Sequence, residues 1–276
     1  MRKILISVIL FCSLMSVSAQ EKEYGTELNI HYYGDSINKA DAYVNERCVL
    51  DIYYPKNLKN AATIVWFHGG GLEGGNKEIP EALKKTGACI IGVGYRLYPR
   101  VKAPKYIEDA AAAVAWVFKN IDKYGGSPGL IFVSGHSAGG YLTLMLGLDK
   151  KWLGVYGIDA NRIAGLIPFS PQCITHFTVR KERGVADTQP IIDDLAPLFY
   201  VSADAPPLLL ITGDRELEML GRYEENAYLM RMMKIAGHKQ TRLYELDGFS
   251  HGNMPEPAFP LLKIEVQRII KEKKNL

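Results

Sequence analysis

The feature that most narrows the folds open to this chain is a single junction. An apolar strand-like run, Leu130 to Val133, passes through Ser134 into Gly135-His136-Ser137-Ala138-Gly139-Gly140, and a helical run, Tyr141 to Leu148, follows at once. A strand that becomes a helix with no intervening loop must turn sharply, and glycine at 135 and 139 clears space where a larger side chain would clash. Such a turn lifts the serine hydroxyl clear of the sheet. It also sets the backbone N–H of Ala138 at a helix N-terminus, where a developing negative oxygen is stabilised by the donor and by the helix dipole. Ser137 is therefore the candidate nucleophile. The bland alternative is a Gly-rich turn that only joins strand to helix, and the strand and helix on either side weigh against it.

The rest of the chain repeats this alternation. Apolar or alternating runs at 48–54, 63–67, 88–95, 130–134, 163–169, 207–212 and 241–246 read as strands, several of them continuously apolar, as expected where both faces of a sheet are covered. Helical patterns occupy 105–122, 138–148, 222–236 and 257–273. The order predicts one α/β domain over 20–276: a mostly parallel, doubly wound sheet with helices on both faces. With 276 residues, 47% of them hydrophobic, a sizeable core poses no difficulty. Residues 172–206 break the pattern with Pro190, Pro197 and Pro206, mixed charges and no clear period, and read as a short helical lid or substrate loop.

A second glycine signal follows the run Thr63 to Phe67: His68-Gly69-Gly70-Gly71. Glycines let the backbone approach a reacting carbonyl and aim N–H groups at its oxygen, so Gly70 and Gly71 join Ala138 as candidate oxyanion donors. A serine hydroxyl needs a base, and in this architecture the order along the chain is serine, acid, histidine. Only His238 and His251 come late enough. His238 reads as part of an exposed helix-to-strand turn, whereas His251 lies in a loop after the last strand and is the candidate general base. His31, His136 and His176 read as surface or packing residues. The acid belongs in the loop after Leu208 to Thr212, where Asp214, Glu216 and Glu218 compete, and composition does not choose among them.

Together with Tyr95-Arg96-Leu97-Tyr98-Pro99, Asp109 ahead of Ala113 and Trp116, Ile211 to Glu216, and His251-Gly252, these motifs make the chain, from about residue 60 to 255, resemble α/β-hydrolase serine esterases. The group includes hormone-sensitive-lipase-like carboxylesterases and bacterial carbohydrate-type (acetyl or feruloyl) esterases. The resemblance implies an acyl-enzyme mechanism with no metal and no cofactor. It makes Arg96 and Asp109 a structural ion pair. In similar sequences the acid commonly stands three positions after the strand-ending glycine, which favours Glu216, then Asp214, and leaves Glu218 solvated. Leu72 stands where relatives often have an aromatic residue. A short N-terminal extension argues against a large helical cap, hence for an open site and short acyl groups on a small-molecule or oligosaccharide ester. A serine peptidase or an arylformamidase on the same triad is the rival enzyme reading, and a non-catalytic binding protein the rival of another class.

The ends of the chain and its charge add little to this. Arg2-Lys3, the apolar run Ile4 to Leu14 and small residues through Ala19 read as a signal peptide over 1–19, so export to the periplasm or outside the cell is expected, without stable membrane insertion. Without Arg2 and Lys3 the 33 basic residues fall to 31 against 30 acidic ones, which gives no electrostatic reason to expect nucleic acid. Cys48, Cys89 and Cys173 lack metal-ligand spacing and allow at most one disulfide.

Overall fold

The computed structural model describes residues 23–275, so the expected leader lies outside them. Among the described residues, eight strands form one sheet: β1 (Tyr24–His31), β2 (Val49–Pro55), β3 (Ala61–Phe67), β4 (Cys89–Val93), β5 (Gly126–His136), β6 (Gly165–Phe169), β7 (Leu208–Gly213) and β8 (Thr241–Leu246). Their order is β1-β2-β4-β3-β5-β6-β7-β8, and every pairing from β4 to β8 is parallel, while β1 and β2 run antiparallel at one edge. The helices are α1 (Asp35–Ala40), α2 (Ala42–Arg47), α3 (Lys105–Asn120), α4 (Ala138–Leu148), α5 (Lys151–Gly154), α6 (Phe177–Glu182), α7 (Arg222–Ile235) and α8 (Pro255–Lys274).

Side chains on a strand alternate between faces, and here the alternation divides the core in two. Val65 and Phe67 of β3 join Ile131 and Val133 of β5 in a core shared with α3, α4 and α7, while Ile64, Trp66 and Phe132 point to the other face, under Phe259, Leu262 and Val266 of α8. The sheet is thus covered on both sides, which is why its central strands are apolar throughout. All of α4 is buried, so its apolar residues run around the whole helix rather than along one stripe.

The expected strands all form, and the helices at 105–122, 138–148, 222–236 and 257–273 appear as α3, α4, α7 and α8. β1 escaped the sequence pattern because it is an edge strand with no apolar face: of its residues only Gly25 is buried. The Arg96–Asp109 pair is present. Asp109, wholly buried, accepts from Arg96 Nε (2.9 Å), Arg96 Nη2 (2.7 Å), the Arg96 backbone N–H (3.1 Å) and the Tyr33 hydroxyl (2.9 Å). This ties the chain after β4 to α3, and removing one partner of such a pair costs about 3–5 kcal/mol because the other charge stays buried alone.

Residues 172–206 hold two short helical turns, α6 and Pro197–Tyr200, and they pack onto the body through Ile174, Val179, Leu195 and Leu198. His238 is not exposed as the sequence implied. It is buried, with Nδ1 2.6 Å from Thr241 Oγ1 and Nε2 3.0 Å from the Ala205 carbonyl, and it pins α7 to the chain entering β7. Cys48, Cys89 and Cys173 are buried free thiols. Among the described residues no helix is long and apolar enough to cross a membrane, and no cluster of side chains has a metal-binding arrangement.

Candidate active site

Ser137 stands between β5 and α4 with φ 55° and ψ −113°, a left-handed backbone that only strong packing forces on a serine. The packing is visible at its neighbours. A Cβ on Gly135 would lie 2.6 Å from the Phe67 carbonyl oxygen, and one on Gly139 only 2.0 Å from the same atom, so both positions must be glycine for the turn to sit against the end of β3. The Ser137 N–H donates to the Phe169 carbonyl (2.8 Å), which fixes the turn to β6 as well. Ala138, in the first turn of α4, has no intrahelical partner for its N–H. The glycine loop after β3 lies beside it: a Cβ on Gly69 would be 3.5 Å from Ser137 Cβ. Gly70 and Gly71 turn the loop with φ 108° and 66°, and neither N–H is bonded to another described residue. Phe177 closes over Gly71, and the Thr178 hydroxyl donates to the Gly71 carbonyl. A cavity of about 560 Å³ opens beyond Phe177, with Glu73 and Lys181 at its rim.

His251 reaches this serine from the loop after β8. Its Nε2 is 2.9 Å from Ser137 Oγ, and its Nδ1 is 2.7 Å from Glu218 Oε2. The acid partner is therefore Glu218, not Glu216 and not Asp214. Two N–H groups, of Leu217 and Glu218, donate to the Asp214 carbonyl at 2.9 Å each, closing one helical turn that carries residue 218 back beneath Gly213. Gly213 makes room for it, since a Cβ there would lie 3.0 Å from Glu218 Oε1. Glu216 falls on the outside of the turn, exposed, with no side-chain bond to a described residue. Asp214 instead stitches the turn, accepting from the N–H of Glu216 (2.9 Å) and of Gly248 (2.8 Å).

Far from being solvated, the Glu218 side chain has no exposed surface. Its Oε1 accepts from Ser170 Oγ (2.6 Å) and the Gly213 N–H (2.9 Å). Burial pushes this carboxyl up, but the bonds from His251, Ser170 and Gly213 outweigh it and hold the group down at about 2. It is a carboxylate at neutral pH. A carboxylate only accepts, so the proton of a neutral His251 sits on Nδ1 and leaves Nε2 free to accept from Ser137. His136 braces the same ring from the elbow: its Nε2 donates to the His251 carbonyl at 3.0 Å, and the two ring centroids are 4.7 Å apart. Burial, then the neighbouring His251, lowers the His136 pKa to about 4, so it is neutral.

The fold has counterparts among known proteins. The BD-FAE family model matches residues 50–163, from β2 through the elbow to the start of β6. A solved structure described as a truncated form of carbohydrate esterase from gut microbiota superposes with a TM-score of 0.74 at 19% identity, over 91% of this chain and 98% of that one. Thermogutta terrifontis esterase 2, solved after phosphoramylation by tabun, gives 0.71 at 22% identity, over 89% and 95%. The chain has the α/β-hydrolase fold. In sequence it is 26% identical to Esterase LipC of Mycobacterium tuberculosis over 236 residues, 74% of this chain and 56% of that protein. This α/β-hydrolase chain spans about half the length of the curated relatives it matches.

Sequence reasoning placed Ser137, His251 and the glycine loop together correctly and chose the wrong carboxylate. It also read His136 only as a surface or packing residue and passed over Ser170 and Arg222. Arg222 has only 2% of its surface exposed and donates from Nη1 to the Ser170 carbonyl at 2.6 Å. No composition signal marks Ser170. The positions of His136 and Arg222, one residue before the serine and at the start of α7, were readable, but their partners were not.

Proposed function

We propose that this chain is a serine esterase that hydrolyses short-chain or carbohydrate-linked carboxylic esters, and that it does so outside the cytoplasm after losing residues 1–19. The observation that carries the reading is the unbroken line Ser137 Oγ, His251, Glu218, with spacings of 2.9 and 2.7 Å, beside free N–H groups on Ala138 and the glycine loop. His251 Nε2 takes the Ser137 proton as Oγ bonds to the ester carbon, and the carbonyl oxygen, now negative, is met by the N–H groups of Ala138, Gly70 and Gly71. Collapse breaks the bond to the alcohol oxygen, which receives the proton from His251. Water then repeats the sequence on the acyl-enzyme, with His251 again base and then acid, and releases the carboxylic acid. Glu218 stays ionised throughout and stabilises the imidazolium. No step calls for a metal or an organic cofactor.

The names of the relatives, carbohydrate esterase and carboxylic ester hydrolases among them, support the ester class. The substrate reading rests on that likeness. Hydrolysis of acetyl, butyryl and palmitoyl p-nitrophenyl esters and of acetylated oligosaccharides, with Ser137→Ala beside the wild type, tests both parts. Short-chain or sugar-linked hydrolysis that vanishes in the variant is expected; preference for palmitate, or activity that survives, contradicts the reading. Amino-terminal sequencing of protein recovered outside the cytoplasm tests the leader, with Gln20 expected first.

A further inference from the structure

Two residues other than glycine adopt left-handed backbone where parallel strands end at this site: Ser137 after β5 and Ser170 after β6, the latter at φ 43°. Glycine takes this conformation freely, and other residues take it only when the surroundings hold them there. At Ser137 the reason is the nucleophile. Ser170 is wholly buried, so its hydroxyl, cut off from water, needs partners within the protein.

The bonds around it supply one. Ser170 Oγ lies 2.6 Å from Glu218 Oε1 and 3.0 Å from His251 Nδ1. The carboxylate can only accept, so the hydroxyl proton goes to Oε1 and the oxygen lone pairs face the Nδ1 proton of His251. That proton has two acceptors, Glu218 Oε2 and Ser170 Oγ. Ser170's backbone is clamped on both sides: its N–H donates to Ile211 O (2.6 Å), and its carbonyl accepts from Arg222 Nη1 (2.6 Å), a guanidinium buried with no second carbonyl or carboxylate within hydrogen-bond reach among the described residues. Arg222 begins α7, directly after the loop that carries Glu218. One buried arginine thus fixes the strained serine and closes the acid loop onto it.

We propose that Ser170 is a positioning residue: its hydroxyl turns the Glu218 carboxylate so that Oε2 meets His251 Nδ1, and Arg222 holds Ser170 where it can do so. The proposal rests on the esterase reading above. A hydrogen bond to a charged, buried acceptor is worth roughly a ten- to hundredfold change in rate when it acts on the triad.

Ser170→Gly is the discriminating variant, because it removes the hydroxyl while giving the backbone its preferred residue. With folding confirmed by circular dichroism and thermal melting, kcat on p-nitrophenyl acetate is expected to fall about ten- to a hundredfold and KM to stay within about twofold of wild type. The acid limb of kcat/KM moves to higher pH, since a carboxylate that has lost a donor is more basic and grips the imidazolium proton harder; the other groups facing the pair, His136 and Arg222, are unchanged in the variant. Wild-type kcat and an unmoved acid limb in a folded Ser170→Gly protein would overturn the proposal and leave the esterase reading standing. A second readout needs no turnover: the low-field proton resonance of His251 Nδ1 in protein labelled with nitrogen-15 histidine shifts in Ser170→Gly. An unshifted resonance overturns the positioning role. Absence of any Ser137-dependent hydrolysis in wild type would instead remove the esterase reading, and the resonance would then decide Ser170's contact by itself.

Discussion

Two loops meet at His251, and they are held in place by opposite means. At the elbow between β5 and α4 there is no spare volume: the chain presses on the end of β3 so closely that Gly139 has no room for a methyl group. The loop from Asp214 to Gly221 lies largely open, with Leu217, Met219 and Leu220 exposed and nothing within 4 Å of where a Gly221 side chain would begin. What fixes it is a few hydrogen bonds, above all those that the Glu218 carboxylate accepts from His251, Ser170 and Gly213. Steric exclusion fixes Ser137; electrostatics and hydrogen bonds fix Glu218. Changes of shape should therefore damage the elbow, and changes of charge should damage the loop.

Substitutions can break that contrast at either end. Ser137→Ala removes the attacking oxygen without adding volume, and kcat should fall on the order of 10⁵- to 10⁶-fold while the thermal midpoint stays near wild type. A folded variant with most of its activity would remove the elbow from the chemistry. Gly139→Ala should cost about 3 kcal/mol or more, or prevent folding, because the added carbon meets strand backbone that has nowhere to go; urea unfolding measures it. Gly221→Ala is the matched change in the open loop. It places a Cβ in free space at φ 67°, so only the local backbone preference is lost, about 1 kcal/mol, and esterase activity should persist. Equal losses at the two glycines would refute the steric half of the contrast.

Acid tests the electrostatic half. The folded Glu218 carboxyl sits at about 2, below the value near 4.3 expected of an unfolded glutamate. A depressed pKa means a contribution to stability that is complete above the unfolded value and is lost as pH falls through the folded one. Wild type should therefore lose stability between roughly pH 4 and pH 2 more steeply than Glu218→Gln, by denaturant unfolding across that range. Parallel curves would show that the carboxylate does not hold the loop.

The same contrast explains what could be read in the sequence. Steric demand leaves glycines at fixed spacing, so Gly135 and Gly139 revealed Ser137, its strand and its helix, and the glycines after His68 did the same for the oxyanion loop. The buried strands declared themselves through unbroken apolar runs. β1 did not, because an exposed edge strand needs no apolar face. A loop path leaves no such trace. Asp214, Glu216 and Glu218 differ only in where one turn carries them, and that is decided by carbonyl and amide bonds that any residues could make. Apolar Leu217 and Met219 beside Glu218 gave no help, since both are exposed. His238 looked like part of a surface turn because its partners, Thr241 and Ala205, come together only in the folded chain.

The most direct test of the triad is kcat for Glu218→Gln and Glu216→Gln measured side by side on the same short ester, with Asp214→Asn as a third arm. Glutamine keeps the size of the side chain and removes the charge that fixes the His251 tautomer, so Glu218→Gln should lose about 10⁴-fold in kcat, while Glu216→Gln stays within about twofold of wild type. A near-normal Glu218→Gln enzyme beside a crippled Glu216→Gln or Asp214→Asn enzyme would contradict the triad of Ser137, His251 and Glu218.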